Sequence, residues 1–235
     1  MLIAGFPAGP WGTNCYVAAT SAGAECVVID PGKDAAPGIA EIVREHRLKP
    51  VAVLLTHGHV DHMWSVTPVA GTYDATAWIH PADRHLLTDP AAGLSRESAG
   101  MLLGGSYEFT EPDDVRELSD GAALELAGLT FTVDHTPGHT EGSVTFRSPY
   151  GGDVSEVMFS GDLLFQGSIG RTDLAGGDHA KMLQSLRTKV LTLADDIVVL
   201  PGHGGQTSIG QERATNPFLQ DLIDAGTTST PTRGL

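Results

Sequence analysis

Apolar residues recur along the chain in short blocks, and most blocks have the length and β-branched content of strands. Residues 14–20 and 25–29 flank Ser21-Ala22-Gly23-Ala24 and predict a hairpin, closed by Asp30-Pro31-Gly32. Ile39, Ile42 and Val43 then fall at helical spacing, which predicts a helix over 36–47. Val51-Ala52-Val53-Leu54-Leu55 predicts a buried strand that runs directly into Thr56-His57-Gly58-His59. Farther on, Thr76-Ala77-Trp78-Ile79 predicts a strand, and residues 81–88 a short helix with Pro81 at its start. Residues 89–114 are rich in Gly, Ser, Pro and Asp and predict a mobile loop or lid. Strands are predicted again at 115–118, 123–127, 129–135, 143–147 and 156–160. A helix follows over 178–193, with Met182, Leu183, Leu186 and Val190 on one face. Ile197-Val198-Val199-Leu200 predicts a last buried strand, leading into Pro201-Gly202-His203-Gly204, and a short helix is predicted around 208–214. The Thr- and Ser-rich end from Thr227 to Leu235 predicts fraying.

Strands dominate both halves with helices between them, and no linker, low-complexity block or short-period repeat interrupts the order. The simplest organisation is one domain over 1–219 followed by a partly frayed tail over 220–235. Two β-sheets packed face to face with helices outside fit this order, although the pattern alone also admits other mixed folds.

Composition narrows the function more than the fold. The 235 residues are 41% hydrophobic and 18% charged, enough apolar surface for a packed core. The formal net charge of -15 repels phosphate backbones, and the 14 Lys and Arg form no patch, so no nucleic-acid partner is expected. The acidity itself reads as solubility. Cys15 and Cys26 lie in apolar runs and make no disulfide framework. Buried free thiols are expected, with one bridge between neighbouring strands as the alternative. The N-terminus lacks the charged and apolar regions of a signal peptide, and no run approaches the roughly 18 apolar residues of a membrane span. The expectation is a cytoplasmic protein with no membrane partner. No sequence feature favours one oligomeric state.

The sharpest chemical feature is Thr56-His57-Gly58-His59-Val60-Asp61-His62, which places four potential metal ligands within six residues at the end of an apolar strand. On an extended segment His57 and His59 face the same side, while Asp61 and His62 come after the turn and face elsewhere. One motif can therefore be divided between two ions. Imidazole with carboxylate suits a borderline-soft cation such as zinc. Three later blocks repeat the pattern of an apolar strand, a glycine and then a ligand: His139 after Gly138, Asp162 after Gly161 and His203 after Gly202. Each is weak singly; together they supply the missing ligands of a two-metal site.

The His-x-His-x-Asp-His block resembles the signature of the metallo-β-lactamase superfamily. Within it the chain resembles the glyoxalase II type, the hydroxyacylglutathione hydrolases. The resemblance runs over about residues 12–218 and includes Thr13-Asn14-Cys15-Tyr16, Val28-Ile29-Asp30-Pro31-Gly32, Thr136-Pro137-Gly138-His139-Thr140, Ser160-Gly161-Asp162-Leu163-Leu164-Phe165, Gly170-Arg171-Thr172-Asp173 and Thr215-Asn216-Pro217-Phe218. It implies an α/β fold of four layers, αβ/βα, with two mixed sheets inside and the helices outside. It implies that His57, His59 and His139 hold one divalent ion, that Asp61, His62 and His203 hold a second, and that Asp162 bridges them. Zinc is the expected metal, with iron or manganese as alternatives.

Two such cations lower the pKa of a shared water towards neutrality, so no side-chain nucleophile is needed. Asp61 is placed to orient the resulting hydroxide and take its proton. A small-molecule thioester suits such a site because a thiolate leaves without a strong general acid. Gly167-Ser168-Ile169-Gly170 is not a nucleophile elbow.

Arg171 and Trp64 are the candidate substrate contacts, Arg171 near a substrate carboxylate and Trp64 beside the metal motif. His46, His80, His85, His135 and His179 lack motif context and are read as surface or packing residues. Met63-Trp64-Ser65 stands where the family has a Gly-rich continuation, Gly205 where the larger enzymes place a tyrosine, and Asp173 where many carry an aromatic residue. The larger enzymes also continue into a helical segment with Arg and Lys, where only Arg233 stands here. These departures resemble the short glyoxalase II-like branch and leave the thiol carrier open. The alternative readings are a mononuclear iron persulfide dioxygenase using His57, His139 and Asp162, and another ester or lactone hydrolase of the same fold. A β-lactamase is disfavoured because Asp162 stands where such members carry Cys or Ser.

Overall fold

The computed structural model describes residues 1–95, 97, 99–100 and 107–228, with side chains described to residue 225. Sheet order explains why so many of the strands are apolar throughout. The first sheet runs β1 (Leu2–Ala8), β2 (Thr13–Ala19), β3 (Glu25–Ile29), β4 (Lys49–Leu54), β5 (Thr76–Ile79) and β6 (Val115–Glu117). The second joins β7 (Ala123–Leu126), β8 (Leu129–His135), β9 (Val144–Gly151), β10 (Val154–Gly161), β13 (Val198–Pro201) and β14 (Thr207–Ser208). A small ribbon of β11 (Leu164–Phe165) and β12 (Ser168–Ile169) stands beside it. Both sheets are mixed. Strand β3 to β6 neighbours are parallel while β1 and β2 are antiparallel, and the second sheet is antiparallel apart from β10 with β13.

Tyr16, Ala18, Val27, Ile29, Ala52 and Leu54 point inward from the first sheet onto Phe131, Val133, Val144, Phe146, Val157 and Phe159 of the second. The alternate residues of the same strands, Cys15, Val17, Cys26, Val28 and Val53, face outward and are just as buried. They pack under α1 (Ala35–His46), α2 (Val60–Met63) and α3 (Val66–Tyr73). On the other side Met158 and Val199 pack under α4 (His179–Ser185), α5 (Ile209–Thr215) and α6 (Pro217–Thr228). A strand covered on both faces has no polar side, so it reads as a continuous apolar run. The result is the expected four-layer αβ/βα sandwich.

Several expectations shift. The helix expected over 178–193 is α4 followed by a wider turn, Leu186–Val190, whose Leu186 and Val190 are fully buried. The helix expected over 81–88 is a single 3-10 turn, Arg84–Leu87. Strand β1, helix α3 and helix α6 had no counterpart in the pattern, and α6 carries regular structure through residue 228. Part of the loop expected over 89–114, and the end of the expected tail from 229, lie outside the described residues. Cys15 and Cys26 are free and buried. Among the described residues no helix is long and apolar enough to cross a membrane.

Candidate metal centre

Four strands deliver their following residues to one rim of the sandwich. Strand β4 ends at Leu54, the chain bends at Thr56, and His59 is extended, with φ and ψ of -63° and 144°. Val60 then begins the single turn of α2, so Asp61 and His62 leave on a helical path. That change of backbone separates His57 and His59 from Asp61 and His62. His139 lies in the loop between β8 and β9, Asp162 directly follows β10, and His203 follows β13.

All seven side chains converge. His57, His59 and His139 form one triad with ligand atoms within 4.8 Å of one another; Asp61, His62 and His203 form another; and His57, His62 and Asp162 link the two. Asp162 Oδ1 lies 3.3 Å from His62 Nε2, and its Oδ2 lies 3.6 Å from both His139 Nε2 and His203 Nε2. His203 Nε2 is 3.1 Å from Asp61 Oδ2, which also accepts from the Thr13 hydroxyl. Gly202 permits this closure: a Cβ there would fall 2.3 Å from Asp162 Oδ1 and 2.6 Å from His62 Cε1.

Outer hydrogen bonds fix which ring nitrogen faces the middle. The Thr56 hydroxyl gives its single proton to Asp30 at 2.6 Å, so it accepts from His57 Nδ1 at 3.1 Å. His62 Nδ1 donates to the same Asp30 carboxylate at 2.9 Å, and His139 Nδ1 donates to the Arg171 carbonyl at 2.7 Å. In all three rings Nε2 is left facing inward. His59 faces inward through Nδ1, 2.8 Å from His139 Nε2.

The interior of this cluster is unsatisfied as it stands. Buried His57 Nε2, His62 Nε2 and Asp162 Oδ1, which face the middle, have no hydrogen-bond partner, since the 3.3 Å His62–Asp162 approach is misaligned for one. Leaving such atoms unpaired costs about 1–3 kcal/mol each. Cations among them remove that cost, and the imidazole and carboxylate donors suit divalent ions.

Protonation differs across the cluster. Burial, then the neighbouring histidines, holds the His57 pKa well below its ordinary value. Burial and His139 push His59 down to about 3. Burial also opposes protonation of His62, but Asp162, Asp61 and Asp30 outweigh it and raise its pKa. His203 is raised as well, because Asp61 and Asp162 overcome its burial. Burial favours the neutral acids of Asp61 and Asp162, yet His62 and other nearby rings hold both below the usual carboxylate range.

The cluster opens into a cleft of about 490 Å³ whose walls include Trp11, Leu94, Phe165, Ile169 and Leu174. Arg171 lines it too, with its guanidinium gripped by Asp173 at 2.7 and 2.8 Å. Trp64 stands elsewhere. The described lining of the cleft does not include it; it sits behind Trp11, edge-on to Tyr107 and Phe109, under the Lys33 ammonium at 4.4 Å. His80 and His135 stack on each other at 4.1 Å, with no part in the metal triads. Two residues not singled out as site residues have a place in it: Asp30, which reaches His62 directly and His57 through Thr56, and Thr13, which holds Asp61. Both stand in blocks that carry the family resemblance, Thr13-Asn14-Cys15-Tyr16 and Val28-Ile29-Asp30-Pro31-Gly32, at either end of the β2–β3 hairpin.

A family model of the metallo-β-lactamase superfamily matches residues 8–203. The chain belongs to this superfamily. An uncharacterized protein of Mycobacterium tuberculosis is 49% identical over 224 residues, covering 94% of this chain and 99% of that protein. The hydroxyacylglutathione hydrolase GloC of Haemophilus influenzae is 37% identical over 196 residues, 82% of this chain and 86% of that protein. Among solved structures, the BLEG-1 B3 metallo-β-lactamase superposes with a TM-score of 0.80 at 41% identity, covering 93% of this chain and 99% of that one. TTHA1623 in a di-iron-bound form superposes with a TM-score of 0.73 at 37% identity over 90% and 97%. Membership in this superfamily supports a metal-dependent hydrolase, and the His/Asp cluster speaks for divalent ions at its centre.

Proposed function

We propose that the protein is a dinuclear metal-dependent hydrolase of the glyoxalase II type, cleaving a small hydroxyacyl thioester such as S-lactoylglutathione or a related thiol ester. The observation that carries this reading is the convergence of His57, His59, His139, Asp61, His62, His203 and Asp162 into overlapping triads at the floor of an open cleft. His57, His59 and His139 would hold one ion, Asp61, His62 and His203 the other, with Asp162 between them. Zinc suits this donor set; the likeness to a di-iron structure supports iron as the alternative. Two ions held there would supply a hydroxide at neutral pH and would polarise the scissile carbonyl.

The chain's own residues do the rest. Asp61, kept ionised and held at Oδ2 by Thr13, is placed to orient the attacking water and take its proton. Trp11, Phe165, Ile169 and Leu174 exclude water around the acyl group. A thiolate leaves without a protein acid, which matches a cleft whose carboxylates stay ionised. The thioester assignment is supported by the likeness to GloC. A second reading, hydrolysis of a lactam, is supported by the likeness to BLEG-1.

One assay separates them. Thiol release is followed with S-lactoylglutathione and with coenzyme A esters, beside a chromogenic β-lactam. The proposal expects turnover of a thioester that chelation removes and added metal restores. Turnover of the lactam alone would replace the thioester reading with the second.

A further inference from the structure

Asp83 is a carboxylate 1% exposed, on the turn between β5 and the Arg84–Leu87 3-10 turn, and it lies outside every metal triad. A charge so deeply buried is costly unless donors surround it. Here they do. Oδ2 accepts from the Gly58 backbone N–H at 2.9 Å and from the Thr140 hydroxyl at 2.7 Å, and Oδ1 accepts from the Gly142 N–H at 2.7 Å. Gly58 is the residue between His57 and His59, and Thr140 directly follows His139. One carboxylate therefore ties together the two loops that carry the His57–His59–His139 triad. Gly142 completes the fit, since a Cβ there would fall 2.6 Å from Asp83 Oδ1. Asp83 itself is fixed, its N–H donating to the His80 carbonyl at 3.0 Å and its carbonyl accepting from Leu86 N–H at 2.9 Å.

We infer that Asp83 is the positioning residue of the His57–His59–His139 subsite, setting the distance of the His139 loop from the His57–His59 segment. The inference rests on the two-metal reading above. The carboxylate needs both oxygens as acceptors, so asparagine cannot replace it. With its amide on the Oδ2 side, NH2 faces the Gly58 N–H; with it on the Oδ1 side, NH2 faces the Gly142 N–H. The subsite of Asp61, His62 and His203 is supported by Thr13 and by Asp30, which also reaches His57 through Thr56, and it makes no hydrogen bond to Asp83.

The test is zinc titration of the stripped protein against a competing chromophoric chelator. Wild type is expected to take up two ions. Asp83→Asn is expected to keep one at wild-type affinity and bind the other about 10- to 100-fold more weakly, the range typical of lost outer support. In a His203→Ala background, Asp83→Asn is expected to weaken the one remaining ion; in a His59→Ala background it is expected to leave the remaining ion unchanged. A purely structural role would lower the unfolding midpoint and leave both affinities as in wild type, and that result overturns the inference. If Asp83→Asn does not fold, Thr140→Val decides: it is expected to weaken the same ion several-fold, and unchanged binding of both ions overturns the inference. A wild-type chain that takes up no ions refutes the two-metal reading itself, which separates that failure from failure of the Asp83 role.

Discussion

The two halves of the centre are built from different chemistry. The His57, His59 and His139 half presents only imidazoles, tied from behind by a hydroxyl and a backbone carbonyl. The Asp61, His62 and His203 half has Asp61 as a member and is backed by Asp30, with Asp162 shared between the two. On the proposed two-metal reading, neutral ligands would leave a dication its charge, which suits polarising a carbonyl, and carboxylates would offset the charge, which suits holding an anionic nucleophile and its proton. The same contrast sets the proton inventory. Burial and neighbouring rings keep His57 and His59 unprotonated, whereas nearby carboxylates overcome burial to favour protonated His62 and His203.

Asp162 is the candidate ligand that lies between both halves, so its removal is expected to have the largest effect. Asp162→Ala is expected to lose both ions and bring thiol release to the assay background, while the circular-dichroism spectrum stays folded. Retention of full activity would dissolve the two-half description. His59→Ala and His203→Ala come next. Each is expected to leave one ion per chain and to weaken binding at its own half by more than about 100-fold, beyond the range for lost outer support. Loss of both ions from either variant would show one cooperative site in place of two halves.

Acid sharpens the contrast. In the metal-free protein nearby carboxylates raise the pKa values of His62 and His203 above the ordinary 6.5, so protons compete with an ion for their half more strongly than at an ordinary imidazole. His57 and His59 have lowered pKa values and carry no such proton. As pH falls, affinity at the carboxylate half is expected to drop more steeply than at the imidazole half, by up to about tenfold per pH unit for each proton displaced. Chelator competition at several pH values measures both. Equal slopes would contradict the assignment.

The smallest effects belong to residues around the cleft. His139 is held by the Arg171 carbonyl and not by its guanidinium, which Asp173 occupies. Arg171→Ala is accordingly expected to keep two ions and raise KM only a few-fold. Trp64→Ala is expected to leave KM unchanged and to cost about 2 kcal/mol of stability, through lost packing on Trp11, Phe109 and Lys33. Denaturant unfolding beside steady-state kinetics checks both.

Much of this was legible because the ligands sit where strands end. Val51 to His59 displays the β4 run and the start of the centre as one continuous string, and the blocks before His139, Asp162 and His203 repeat the form. The elements that were not legible lack such contrast. Strand β1 contains Gly5 and Pro7, residues an edge strand tolerates but strand patterns do not favour. Helix α3 carries Pro68 and Gly71 within eight residues. Asp83 has its partners 25, 57 and 59 positions away, so no local pattern could associate them. Trp64 shows the opposite failure: next to the motif in sequence, it is turned by α2 onto an aromatic cluster behind Trp11.

Zinc uptake by the purified, stripped chain, counted per polypeptide, bears most directly on the whole account. Two ions of distinct affinity, both lost in Asp162→Ala, are the predicted result. A wild-type chain saturating at one ion or none would contradict it.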